Sequence, residues 1–163
     1  MTLTLRPHQL DAVNAMSNNT KGQVIVPTGG GKTMCIIEDV KKLFRQNTLP
    51  KTVVVVAPRI LLANQLSSEF LEQNLDDNYN VGIAVAHVHS GETHHFSTTN
   101  SIDLTHWDSI NPHHNKLIFT TYHSLHKIQN SMVEVDTIYF DESHNAVQKN
   151  FIEAVEYLSL IHI

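Results

Sequence analysis

Three consecutive glycines, Gly29, Gly30 and Gly31, stand between an apolar run, Val24-Ile25-Val26, and the pair Lys32-Thr33. Glycine accepts positive φ and close approach, so a run of them lets successive backbone N–H groups turn inward on one oxyanion. A lysine at the end of that turn adds a compact positive charge, and a threonine adds a hydroxyl suited to Mg²⁺. A helix opening there contributes its positive end. Pro27, Thr28, Gly29, Gly30, Gly31, Lys32 and Thr33 are therefore expected to cradle the phosphates of a nucleoside triphosphate. The strict spacing G-x-x-x-x-G-K-[ST] calls for glycine at position 26, where this chain has Val26.

A second group follows Thr137-Ile138-Tyr139-Phe140, where Asp141-Glu142-Ser143-His144 brings two adjacent carboxylates to the end of an apolar strand. Mg²⁺ prefers oxygen ligands and keeps much of its water, so Asp141 suits it, through water, opposite Thr33. Glu142, one residue on, is placed to orient or deprotonate an attacking water. Lys32, Asp141 and Glu142 form the expected catalytic set, with the metal held between Thr33 and Asp141.

Those residues need a scaffold that brings position 32 beside position 141. After Thr33, the residues Ile36, Ile37, Val40, Leu43 and Phe44 recur at helical spacing, and 47–50 end the helix. Val53-Val54-Val55-Val56-Ala57 is apolar on both alternating faces, as in a parallel strand covered by helices on both sides. Ile60, Leu61, Gln65, Leu66 and Phe70 suggest another helix, 75–80 a polar turn, and 81–88 a further strand. The histidine-rich stretch 90–115 reads either as a short helix capped by Ser101 or as a loop with an extended piece. Residues 116–121 form a buried strand leading into a helix over 122–128, and Phe151, Ala154, Val155 and Leu158 mark a closing helix face. The whole predicts a single three-layer α/β domain with a mostly parallel sheet. Near the start, Pro7 suits a first helical turn, continued by Leu10, Val13 and Met16. Gln9 on that helix has an amide able to pair with both edges of adenine.

With 41% apolar and 17% charged residues in 163, the chain has enough material for its own core. One cysteine, Cys35, excludes an internal disulfide and points to a reducing compartment. The first residues lack signal-peptide character, and no apolar run is long enough for a membrane span, so a cytoplasmic protein without membrane contact is expected. The net charge of -5 argues against bulk electrostatic capture of nucleic acid; binding would rest on a few placed donors. Twelve histidines, including His87/His89, His94/His95 and His113/His114, invite a metal reading. It is not the leading one, because zinc sites usually add cysteines or carboxylates at tight spacing.

The cradle form Pro27-Thr28-Gly29-Gly30-Gly31-Lys32-Thr33 resembles that of the superfamily 2 helicases, whose first position is commonly a small non-glycine residue. Arg6-Pro7-His8-Gln9 resembles their adenine-reading Q motif, and Ala57-Pro58-Arg59 their motif Ia. Thr120-Thr121-Tyr122 resembles motif Ic, and Asp141-Glu142-Ser143-His144 the DEAH-like motif II, with serine for the usual alanine. Their order over residues 5–144 is similar to the first RecA-like P-loop domain of the DEAD/DEAH-like branch that includes type III restriction subunits and phage helicases. The resemblance implies an ATP- and Mg²⁺-dependent helicase or translocase half acting on nucleic acid, DNA rather than RNA. It implies Arg6 and Gln9 at the nucleotide, His144 in the catalytic set, and Pro58, Arg59, Thr120 and Thr121 at nucleic acid. Such motors use a second RecA-like domain, expected beyond this chain, and alone the fragment is expected to be nearly inactive. A non-motor nucleotide-binding module or another P-loop NTPase is the alternative.

Leu158-Ser159-Leu160-Ile161-His162-Ile163 matches the translation of a transposase adaptor used in sequencing libraries, so 1–157 is expected to be the domain and some or all of 158–163 a scar, the alternative being a short apolar helix tail. Sequencing the source gene across codon 157 is expected to reveal a different continuation; an uninterrupted native read through the same six residues would refute it.

Overall fold

The computed structural model describes Pro7 and residues 32–46, 49–72, 83–91 and 96–140. Helix α1 (Lys32–Gln46) leads to strand β1 (Thr52–Ala57), then α2 (Ile60–Glu72), β2 (Ile83–Val88), β3 (Phe96–Thr98) and α3 (Ser101–Ile110). Strand β4 (Asn115–Thr121) follows, then a 3₁₀ turn (Tyr122–Ser124), α4 (Leu125–Gln129) and β5 (Thr137–Phe140). The five strands among the described residues form one sheet in the order β3-β2-β4-β1-β5, and their pairings are parallel.

β1 shows why the sheet needs two helical layers. Every residue from Val53 to Ala57 is fully buried, and alternate side chains enter different cores. Val53, Val55 and Ala57 pack with Leu117 and Phe119 against Ile37, Val40 and Phe44 of α1 and Ala63 and Leu66 of α2. Val54 and Val56 join Ile118 under Leu104 and Trp107 of α3 and Leu125 and Ile128 of α4. The period of two in the strand thus meets one apolar stripe from each helix. Cys35 is buried on α1, and burial raises its thiol pKa.

Among the described residues the expected helices and strands appear where their periodicity placed them, with three differences. In the histidine-rich stretch the helical alternative holds for 101–110, but its cap is Asn100, not Ser101. The Asn100 carboxamide accepts from the Ile102 N–H at 2.7 Å, whereas Ser101 Oγ donates to the Lys127 carbonyl at 2.7 Å, tying α3 to α4. The second difference is β3, a strand of three residues beside β2, with Phe96 stacked on Trp107. The third is that the helix expected over 122–128 is split, one 3₁₀ turn before α4. The first and closing helices and the 75–80 turn lie outside the described residues, apart from Pro7, which is helical and exposed.

At the amino edge the strands are pinned by side chains. Asn115 Oδ1 accepts from the Lys51 N–H at 2.9 Å; Asp136 Oδ2 accepts from the Thr52 N–H at 2.8 Å, and the Asp136 N–H returns a bond to the Thr52 carbonyl. Lys116 Nζ bonds Asp108 of α3 across the same edge. Phe119, 1% exposed in the central strand, sets the core's sensitivity. Phe119→Ala is expected to cost about 3–5 kcal/mol in urea unfolding, while Ile102→Ala on the exposed face of α3 should change stability by about 0.5 kcal/mol or less.

Candidate functional site

In a parallel α/β sheet, ligands bind beyond the carboxyl ends of the strands. β1 and β4 end in register, Ala57 beside Thr121, so Pro58-Arg59 leave the sheet next to the strand-end threonines. Arg59 is exposed, and its carbonyl accepts from the Ala63 N–H at 3.0 Å to start α2. Thr120 is fully buried and donates its hydroxyl to the Val88 carbonyl at 2.7 Å, while Thr121 is 4% exposed. The structure therefore brings Arg59 and Thr121 to one stretch of the rim, with the Thr120 hydroxyl engaged inside the sheet.

On the other side of β1, β5 pairs with Val56 opposite Phe140, its last residue. Helix α1 begins at Lys32, and Thr33 lies in its first turn. Arg6, Gln9, the stretch from Pro27 to Gly31, Asp141, Glu142 and His144 lie outside the described residues. What is described is the frame on either side of them. Tyr139 of β5 packs against the core beneath α1 and donates its hydroxyl to Asp39 of α1. Burial raises the Asp39 carboxyl above its ordinary value, opposed first by the tyrosine's hydrogen bond and then by the Lys42 charge. Tyr139 is raised as well, by burial and then by the neighbouring carboxylate. Neither residue carries a motif: Asp39 sits beside the apolar stripe of α1, and its hydrogen-bond partner is a hundred residues away.

A third rim segment follows β2. His87 and His89 are buried, with His87 Nδ1 3.2 Å from His89 Nε2 and His87 stacked on Phe119. The Gly91 N–H donates to His89 Nδ1 at 3.0 Å, so neutral His89 carries its proton on Nε2 and donates it to His87. Gly91 itself is held close to α2: a Cβ there would lie 2.5 Å from Ile60 Cγ2. His89, Ser90, Gly91, Thr98, Thr99 and Asp103 border an open polar depression of about 340 Å³. It lies on the β2–β3 side of the sheet, separated from β5 by β4 and β1. Among the described residues no group of three metal-ligating side chains converges, and no helix is long and apolar enough to cross a membrane.

The model of the type III restriction enzyme res subunit matches residues 2–162. The chain belongs to that family. Its domain is a RecA-like domain of the superfamily 2 helicase type. Over 70 residues it is 33% identical to the ATP-dependent helicase SGS1 of Saccharomyces cerevisiae, a match covering 43% of this chain and 5% of that protein. The fold is shared with a nuclease-deletion mutant of the Type ISP restriction-modification enzyme LlaGI in complex with a DNA substrate mimic. That match has a TM-score of 0.74 and 23% identity, and covers 98% of this chain and 14% of the other. The ATP-dependent Type ISP enzyme LlaBIII bound to DNA matches with a TM-score of 0.65 and 21% identity, over 95% and 12% of the two chains. This res-family chain thus spans a small fraction of the length of each of these relatives.

Buried His89 on the β2 rim makes the folded state sensitive to acid. Burial lowers the His89 pKa below its ordinary value of 6.5, so on acidification the unfolded chain takes up that proton before the folded one. The contribution is complete above about pH 6.5 and declines as pH falls through the window beneath it. Urea midpoints at pH 7.5 and pH 5.5 are expected to differ more in the wild type than in His89→Asn, whose amide retains an acceptor for Gly91 and cannot titrate. Equal differences in the two proteins would refute the assignment.

Proposed function

We propose that this chain is the ATP-binding and hydrolysing half of a nucleic-acid-dependent helicase or translocase, with DNA as its track. The observation that carries the reading is the packing of α1, which opens with Lys32-Thr33, on the sheet face where β5 leads into Asp141-Glu142. Helix α1 ends at Gln46 and the chain enters β1 at Thr52, so the helix finishes toward the amino edge and starts toward the carboxyl edge. Strand β5 runs to the same carboxyl edge. This fits the donor set: a hydroxyl and a lysine on one element, paired carboxylates on the other.

In this reading Pro27 to Thr33 surround the phosphates, Arg6 and Gln9 hold the adenine end, and Thr33 with Asp141 would hold Mg²⁺. The metal would neutralise phosphate charge when bound. Lys32 contributes a fixed positive charge at the phosphates, Glu142 orients or deprotonates the attacking water, and His144 belongs to the same rim. Pro58, Arg59 and Thr121 offer a short nucleic-acid contact, consistent with a net-negative chain that needs placed donors. The Thr120 hydroxyl serves that contact indirectly, by fixing β4 to β2. DNA is favoured because the two Type ISP enzymes sharing this fold are described with DNA or its mimic.

A second RecA-like domain would supply the remaining groove and an arginine for the transition state, a contribution of about 10³ to 10⁵ in rate in phosphate-transferring enzymes. The 163-residue chain is therefore expected to bind ATP-Mg²⁺ weakly, hydrolyse it very slowly and unwind nothing; robust unwinding by it would contradict the two-domain account. In the longer protein, Lys32→Ala should lose both nucleotide and turnover, whereas Glu142→Gln should keep nucleotide and lose turnover. DNA-stimulated ATPase supports the motor; ATP binding without stimulation favours a nucleotide-binding module.

A further inference from the structure

The bond between Tyr139 and Asp39 spans a hundred residues of sequence and joins the two elements that end in the proposed nucleotide chemistry. Asp39 lies six residues beyond Thr33, about 9 Å along the helix axis at the usual rise. Tyr139 lies one residue before the end of β5 and two before Asp141 in sequence. With the helix starting, and the strand finishing, at the carboxyl edge, the bond is the reference level from which both ends are measured.

Ile36, Ile37, Val40 and Phe44 of α1 pack with Val53, Val55, Leu117 and Phe119 of the sheet, contacts that are non-directional. A hydrogen bond to a half-buried carboxylate is directional and fails within a fraction of a turn of sliding. We propose that Asp39 and Tyr139 are positioning residues that set the axial register of α1 against β5, and with it the separation of Thr33 from Asp141 for a shared Mg²⁺. The inference rests on the nucleotide-site reading given above and assigns the pair no contact with substrate.

The consequence is selective. Phosphates cradled by the turn before α1 draw on one element and do not sense its register against β5. A metal held between Thr33 and Asp141 draws on both elements. Loss of the bond therefore weakens the Mg²⁺-dependent part of nucleotide affinity and spares the Mg²⁺-free part.

The test is a fluorescence titration of the 163-residue chain with a ribose-labelled ATP analogue, in EDTA and across a Mg²⁺ series, with thermal unfolding of each variant. Tyr139→Phe, which keeps the ring and removes the hydroxyl, is expected to raise the Mg²⁺ concentration for half-maximal enhancement roughly tenfold. Its affinity in EDTA should stay within about twofold of wild type. Asp39→Ala should match it. Asp39→Asn, which retains an oxygen acceptor, should recover most of the Mg²⁺ response and gives a second reading should Tyr139→Phe not fold. Wild-type binding that ignores Mg²⁺ would overturn the nucleotide-site reading itself. A Mg²⁺-responsive wild type with an unchanged Tyr139→Phe profile, or with equal losses in EDTA and Mg²⁺, would overturn the positioning role alone.

Discussion

A strand buried on both faces constrains everything around it. β1 exposes none of Val53 to Ala57 to solvent, so its backbone groups must pair on either side and its side chains must be covered above and below. β4 and β5 meet the first demand, and the α1–α2 and α3–α4 layers the second. Parallel pairing then forces each connection to cross from one edge to the other, which leaves the turns after β1, β4 and β5 together at the carboxyl edge. The convergence of Arg59, Thr121 and the end of β5 on one rim follows from burying four valines.

The two edges are built with different chemistry. At the amino edge, Asn115, Asp136 and Lys116 use side chains to complete backbone pairing or to bond across elements, and the Asp136–Thr52 exchange closes β5 onto β1. The Asn115 carboxamide oxygen, the Asp136 carboxylate and the Lys116 ammonium have partners within the fold, which holds that edge together. At the carboxyl edge, Arg59 is exposed and Asp103 and Thr99 border an open depression. A domain pinned at one edge and open at the other can hold ligands without loosening its sheet.

Much of this was legible because it rests on local periodicity. The valines of β1 and the stripe from Ile36 to Phe44 on α1 report burial in their own spacing, and the ends of β2, β4 and β5 fell within a residue or two of where the apolar runs stop. β3 escaped because Phe96-Ser97-Thr98 is too short to show alternation and owes its strand conformation to pairing with β2. The cap of α3 moved by one residue: the Asn100 carboxamide accepts from the Ile102 N–H, and the Ser101 hydroxyl donates to the Lys127 carbonyl of α4. Asp39 and Tyr139 were invisible for a stronger reason: their meaning lies in a partner a hundred positions away, which no window of sequence samples. The glycine cradle and the acidic pair are the reverse case, recognisable from residue types alone, and they lie outside the described residues.

The tie between Asp39 and Tyr139 also explains why a polar pair sits in a layer that apolar side chains would fill at least as stably. A desolvated carboxylate is costly, and the raised pKa of Asp39 expresses that cost; exchange for a methyl-bearing pair of similar volume would be neutral or stabilising in many cores. Apolar contacts are non-directional, however. A part-buried hydrogen bond between fixed positions adds direction, because another register leaves a carboxylate and a phenol without each other. The pair thus ties α1 to β5 at one alignment. That alignment matters most where residues from separate elements must meet one small ion.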